Sequence, residues 1–112
     1  MRAEELKGHL DAMLLAALEG GPQHGYAVIE ALRQSTGGRL DLPTGTIYPA
    51  LRRLEQAGLI TGSWSVVGGR RRREYRLTAA GTRTLSGRRA DWQDFSAMVT
   101  AALEGRPCPN PA

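Results

Sequence analysis

At Gly58 the spacing of the apolar residues changes from three or four to two, and that change fixes the kind of fold the chain can adopt. Before it, three short stretches repeat with helical period. Leu6, Leu10, Met13, Leu14 and Leu18 predict a first helix, stopped by Gly20-Gly21-Pro22. Tyr26, Ile29 and Leu32 share one side of a second, from about His24 to Ser35, which ends at Gly37-Gly38. A third is expected after Leu40-Asp41-Leu42-Pro43, with Thr44 or Gly45 as its cap, Ile47, Leu51 and Leu54 facing inward, and Gly58 as its stop. Pro49 falls near the end of that helix's first turn, where a missing N–H loses at most one hydrogen bond.

Beyond Gly58, Ile60, Trp64 and Val66 alternate with Thr61, Ser63 and Ser65, and Tyr75 and Leu77 alternate with Glu74 and Arg76. Two facing strands result, with Trp64 read as sheet packing against the helices. Gly68-Gly69 permits a turn with positive φ, and Arg70, Arg71, Arg72 and Arg73 are too densely charged to be buried, so they belong at or beside an exposed hairpin tip. Thr78 is the expected N-cap of a long final helix running to about Leu103, before Gly105, Pro107, Pro109 and Pro111. Leu85, Trp92 and Val99 stand seven apart along it, and Phe95 and Ala102 form a companion series that Arg88 interrupts. About two heptads are too few for a free-standing coiled coil. They suffice for a dimer interface shared with the first helix, through Leu10, Leu14, Leu85, Trp92, Phe95 and Val99.

The expected architecture is therefore mainly α with a small β-hairpin: a winged helix-turn-helix over 1–78, a C-terminal dimerisation helix over 79–104, and a flexible Pro-rich tail over 105–112. No stretch approaches the roughly 18 apolar residues of a spanning helix, and Glu4, Glu5 and Lys7 stand where a signal peptide would be basic and then apolar. A cytoplasmic location, away from membranes, is expected. The only cysteine is Cys108, so no disulfide can form within one chain, and His9 and His24 lack a second metal-ligand motif nearby. They read as surface or packing residues, and no metal or other cofactor is expected. No nucleophile and base are recognisably arranged and no phosphate cradle follows a strand, which argues against an enzyme.

The net charge is +4, and 14 of the 15 basic residues are arginine, clustered at Arg52-Arg53, Arg70 to Arg73 and Arg88-Arg89. Part of this arginine fits an Arg-, Ala- and Gly-rich composition, but its position selects a partner. In a winged helix the third helix enters the major groove of double-stranded DNA and the hairpin reaches a neighbouring groove. Thr44, Thr46, Tyr48, Arg52 and Arg53 would lie off the core side of the third helix, a mixture of types that contact base edges and phosphates. Arg70 to Arg73 would be drawn to a narrow minor groove or to flanking phosphates. Tyr26 would join the core by its ring and reach the DNA backbone or a helix end by its hydroxyl. Tyr48 has two readings, a DNA contact or padding of its helix against the wing. Arg88 and Arg89 equally suit an ion pair with Asp91, Glu104 or a partner subunit. The rival function is a winged-helix module that binds a protein, since the fold serves both roles.

His24-Gly25-Tyr26, the run Gly45-Thr46-Ile47-Tyr48-Pro49-Ala50-Leu51-Arg52-Arg53-Leu54-Glu55 with Gly58-Leu59-Ile60, and Tyr75-Arg76-Leu77-Thr78 with Gly81 resemble the motifs of PadR-family transcriptional regulators. The likeness spans about Leu10 to Leu103, and the short single C-terminal helix is similar to that of the smaller subfamily. The resemblance implies a homodimer that reads an inverted-repeat operator and represses. It also implies that Trp92 and its symmetry mate could sandwich a flat aromatic or cationic inducer, although an aromatic at the centre of an apolar seam is more often interface core alone.

Overall fold

The computed structural model describes residue 6 and residues 8–107. Its first helix, α1 (Leu10–Ala17), is shorter than the apolar spacing predicts. Gly8 adopts φ 87°, a left-handed conformation that no α-helix accommodates, so it separates Leu6 from the run that follows. Helix α2 (Gly25–Ser35) begins at the N-cap His24, whose Nδ1 accepts a hydrogen bond from the Ala27 N–H at 3.3 Å. Its buried stripe is Gly25, Val28 and Leu32. Tyr26 lies one residue off that stripe and is 64% exposed, so its ring does not join the core as expected. Glycine at the first position of the stripe hid the true phase of the helix.

Helix α3 (Thr44–Gln56) starts at Thr44, the first of the two expected caps, so its actual cap precedes both. Pro43 is the N-cap, its carbonyl accepting from the N–H groups of Thr46 and Ile47 at 3.0 and 3.1 Å. Thr44 is thus the first helical residue. Pro49 is the sixth, and its missing N–H forfeits one bond, to Gly45. Ile47, Ala50, Leu51 and Leu54 are buried against Leu14, Leu15 and Val28 of the other helices.

The sheet has three antiparallel strands in the order β1-β3-β2: β1 (Gln23–His24), β2 (Ile60–Val67) and β3 (Arg70–Leu77). Strand β1 is too short to carry an alternating pattern, and only the hairpin was legible in the sequence. The hairpin register runs from Ile60↔Leu77 to Val67↔Arg70, closed by Gly68 and Gly69 at φ 58° and 76°. Both central residues of this two-residue turn have positive φ, the conformation that glycine supplies at least cost. Ile60 and Tyr75 are buried at the base of the sheet. Trp64 shares their face but is 59% exposed, contrary to its expected packing against the helices. Alternation determines which face a residue occupies and not how far the helices extend beneath it. Eight-residue strands outreach the helical layer.

Helix α4 (Ala79–Glu104) rises from the sheet for 26 residues, about 39 Å at the usual helical rise, and ends at Gly105 with φ 67°. Leu85 is buried, but Trp92, Phe95 and Met98 are each about half exposed farther along. At its start Thr78 Oγ1 accepts from the Gly81 N–H at 3.0 Å and donates to the Gly58 carbonyl at 2.7 Å, and the Thr78 N–H donates to the Leu59 carbonyl at 3.1 Å. A Cβ on Gly81 would run into that same Leu59 carbonyl oxygen. Thr78→Ala is therefore expected to lower stability by about 1 kcal/mol through the lost cap. Gly81→Ala should lower it by about 1–3 kcal/mol, because the clash outweighs alanine's better helix propensity. Gly87, with nothing within 4 Å of a Cβ, supplies the contrast. Gly87→Ala should stabilise by about 0.5–1 kcal/mol. Denaturant midpoints at one fixed protein concentration check all three signs, and a Gly81→Ala midpoint equal to wild type would remove the junction from its assigned role.

Candidate nucleic-acid interface

The outward face of α3 carries Thr44, Tyr48, Arg52 and Arg53 exposed and Thr46 half-buried. Tyr48 is held in place by a close approach between helices. A Cβ on Gly25 would lie 2.6 Å from its ring, so the first residue of α2 must be glycine for the tyrosine to lie where it does. The Tyr26 ring meets it edge-on, with centroids 6.3 Å apart. Tyr48 therefore pads α3 against the start of α2 and not against the wing, while its outer side stays accessible. Burial pushes its hydroxyl pKa above the ordinary value, so the group stays neutral and can both donate and accept.

The arginines divide by what they already touch. Arg53 Nη2 lies 2.5 Å from Asp11 Oδ1, so this residue of α3 is tied to α1. Arg73 Nη2 lies 2.5 Å from Glu55 Oε2, and both side chains are more than two-thirds buried. The expectation that none of the four arginines is buried is corrected here for Arg73. Strand alternation sends Arg71 and Arg73 to the inward face and Arg70 and Arg72 to the outward one, and only Arg70 and Arg71 are fully exposed. A side chain on Gly62 would collide with the Arg73 guanidinium, and the Gly62 N–H donates to Glu55 at 3.2 Å. Glycine at 62 is thus the passage through which Arg73 reaches α3. Among the described residues, no carboxylate lies within ion-pair distance of Arg52, Arg70, Arg71 or Arg72. These cations, with Tyr26 and Tyr48, are what α3, α2 and the wing present to an anionic partner.

A second feature lies between α1 and α4, an open groove of about 890 Å³ lined by His9, Met13, Ala16, Leu85, Trp92 and Phe95 among others. Its aromatic residues touch in series. The His9 ring meets Trp92 edge-on at 5.3 Å, and Trp92 lies 6.2 Å from Phe95. Of the residues expected to face a partner subunit, Leu14 and Leu85 are instead buried within the chain's own core, and Leu10 is half-buried. The apolar stripe of α4 serves the protomer at its first turns and only from Trp92 onward, with Phe95 and Val99, remains for anything else. Arg89 pairs with neither Asp91 nor Glu104. It forms two bonds of 2.8 Å to Glu19, tying α4 to the turn after α1 and holding the Glu19 carboxyl below the usual carboxylate range.

Asp11 had no signal in the sequence, and Gly25 and Glu55 entered only as members of the family-like motifs, with no role assigned, because each acts through an element distant along the chain. Among the described residues no three His, Cys, Asp or Glu side chains come together as a metal site, and no helix is long and apolar enough to cross a membrane. Cys108 lies outside the described residues.

Known proteins share this arrangement. A PadR family transcriptional regulator from Eggerthella lenta superposes with a TM-score of 0.79 at 33% identity, over 90% of this chain and 87% of that one. A PadR-like transcriptional regulator from Bacillus cereus gives a TM-score of 0.80 at 27% identity, over 93% of this chain and all of that one. The transcriptional regulator Rv3488 of Mycobacterium tuberculosis is 44% identical over 55 residues, 49% of this chain and 51% of that protein. The model of the transcriptional regulator PadR-like family matches residues 14–87, from the core of α1 through the recognition elements into α4. On that match and that fold, the chain belongs to the PadR-like family of DNA-binding transcriptional regulators.

Proposed function

We propose that this regulator is a dimeric repressor that reads an inverted repeat through α3 and its wing and is released when a flat ligand enters the groove between α1 and α4. The observation that carries the DNA contacts is the sorting of arginines: Arg52, Arg70, Arg71 and Arg72 have no carboxylate partner among the described residues, and all stand on the two elements a winged helix lays in the grooves. Tyr26, Thr44, Thr46 and Tyr48 supply hydroxyls beside them for base edges or phosphate. The half-exposed Trp92, Phe95 and Met98 support a second copy packing on α4, since large apolar groups at helical spacing are not left to solvent without cause. Two copies related by a two-fold axis would set their α3 helices roughly 34 Å apart, one turn of DNA.

Induction has a route in α1. One side of this helix lines the groove through Ala12, Met13 and Ala16, and another side sends Asp11 to Arg53 of α3. A ligand that shifts α1 thus changes both the placement of α3 and the freedom of one of its cations.

Fluorescence anisotropy against DNA from upstream of the protein's own gene and against a scrambled duplex, over a salt series, tests the regulator reading. A preference on the order of 10³ for the upstream DNA is expected. Binding to neither duplex at low salt would favour a protein partner instead. Asp11→Asn should free Arg53, raising affinity for any duplex and steepening the salt slope by about one per protomer, while an unchanged slope would leave Arg53 out of the interface. Phe95→Asp should shift the protein to monomer in sedimentation velocity and weaken operator binding with it. For the groove, a flat cationic dye should bind the wild type and lose about tenfold in affinity on Trp92→Ala. Equal affinities would remove Trp92 from ligand binding.

A further inference from the structure

Trp64 keeps more than half of its surface in water, so burial gives little reason for a tryptophan at this position. What its ring touches is charge. The guanidinium carbons of Arg71 and Arg73 lie 4.6 and 5.4 Å from its centroid. The register accounts for this: Trp64 pairs with Arg73 and Val66 with Arg71, so the indole and both guanidinium groups share the inward face of the hairpin beyond the helices. Arg73 is fixed in turn by Glu55 of α3. A continuous series of contacts therefore runs from the recognition helix through Arg73 and Trp64 to Arg71, two residues from the Gly68-Gly69 turn.

We propose that Trp64 is a positioning residue for DNA binding, holding the Arg71 guanidinium at the wing in an orientation already set relative to α3. The proposal rests on the DNA-binding reading above. A free arginine side chain loses rotamer freedom when it docks on a phosphate or a groove edge, and an arginine already stacked on an indole has less to lose. Attraction to the ring face uses none of the acceptors a guanidinium needs, so the Arg71 N–H groups that point away from the indole stay free to donate. Arg73 is less suited to the same end, because Glu55 balances its charge and its side chain is more than two-thirds buried. Arg70 and Arg72, on the other face, contribute charge without this orientation.

The test is anisotropy with a duplex that the wild-type protein binds, using the full chain and the variants Trp64→Ala, Trp64→Phe, Arg71→Ala and the Trp64→Ala/Arg71→Ala double variant. An exposed cation–π contact is worth about two- to fivefold per wing, so Trp64→Ala should raise Kd on the order of tenfold in a dimer with two wings. Arg71→Ala should raise it at least as much, and the double variant no further than Arg71→Ala alone. Trp64→Phe should recover most of the loss. The salt dependence separates orientation from charge: Trp64→Ala should leave the slope unchanged, because Arg71 is still present, whereas Arg71→Ala should reduce it by about one per wing. Wild-type affinity in Trp64→Ala, or losses that add in the double variant, would overturn the assignment while leaving the DNA-binding reading intact. A wild-type protein that binds no duplex at low salt would remove both.

Discussion

Thr78 and Gly81 meet Gly58 and Leu59 at the point where the three working parts of the molecule diverge. Helix α3 ends at Gln56 and the chain turns away at Gly58, which adopts φ 76°, the hairpin leaves through Ile60 and returns through Leu77, and α4 departs from Thr78. One hydroxyl serves both sides, accepting from the first turn of α4 and donating to the carbonyl at the end of α3. The glycine beneath it lets the α4 backbone approach the Leu59 carbonyl more closely than any side chain would allow. This contact sets the start of α4, and the burial of Leu85 and the Arg89–Glu19 pair hold the helix beyond it.

The distribution of acidic residues follows the same logic. Three carboxylates are spent within the fold on arginines of other elements: Asp11 joins α1 to α3, Glu55 joins α3 to β3, and Glu19 joins the turn after α1 to α4. The two more exposed of these pairs, Asp11–Arg53 and Glu19–Arg89, add little to stability. Their effect is selection, since they decide which of the clustered cations remain for an anionic partner. Arg73 and Arg89 are withdrawn, Arg53 is conditionally withdrawn, and Arg52, Arg70 and Arg71 stay open to solvent. Counting arginines in the sequence could not make this division, because each carboxylate comes from a different part of the chain.

The fold itself was largely legible, and for identifiable reasons. The core stripe of α3, the glycine turn of the hairpin, the Thr78 cap and the end of α4 near Gly105 are all local signals, set by residues within one or two turns of each other. What escaped was of two kinds. Phase errors arose where glycine occupied a core position, as at Gly25, which placed Tyr26 inside when it lies outside. A depth error arose where a periodic stripe outran its cover: Trp64 sits in a correctly read apolar series on the sheet but beyond the helices that cover its base. Leu14 and Leu85 show the converse, since their stripe does not reach a partner because their own chain buries them. Strand β1, two residues long, has no pattern to read.

The two exposed tryptophans stand in contrasting surroundings, and that contrast separates the functional regions. Trp92 has histidine and phenylalanine rings around it in an open apolar groove, an environment that suits another flat apolar surface, whether a second copy of α4 or a planar ligand. Trp64 is flanked by two guanidinium groups and has no aromatic neighbour within stacking distance among the described residues, so an apolar partner arriving there would have to displace charge. Between them lies α1, which contacts the groove around the first and reaches, through Asp11, the helix that Glu55 ties to the second. Two side-chain pairs, Asp11–Arg53 and Glu55–Arg73, thus join the helix that lines the groove to α3 and α3 to the wing, while Leu14 and Leu15 on the buried side of α1 tie the same helix to the core.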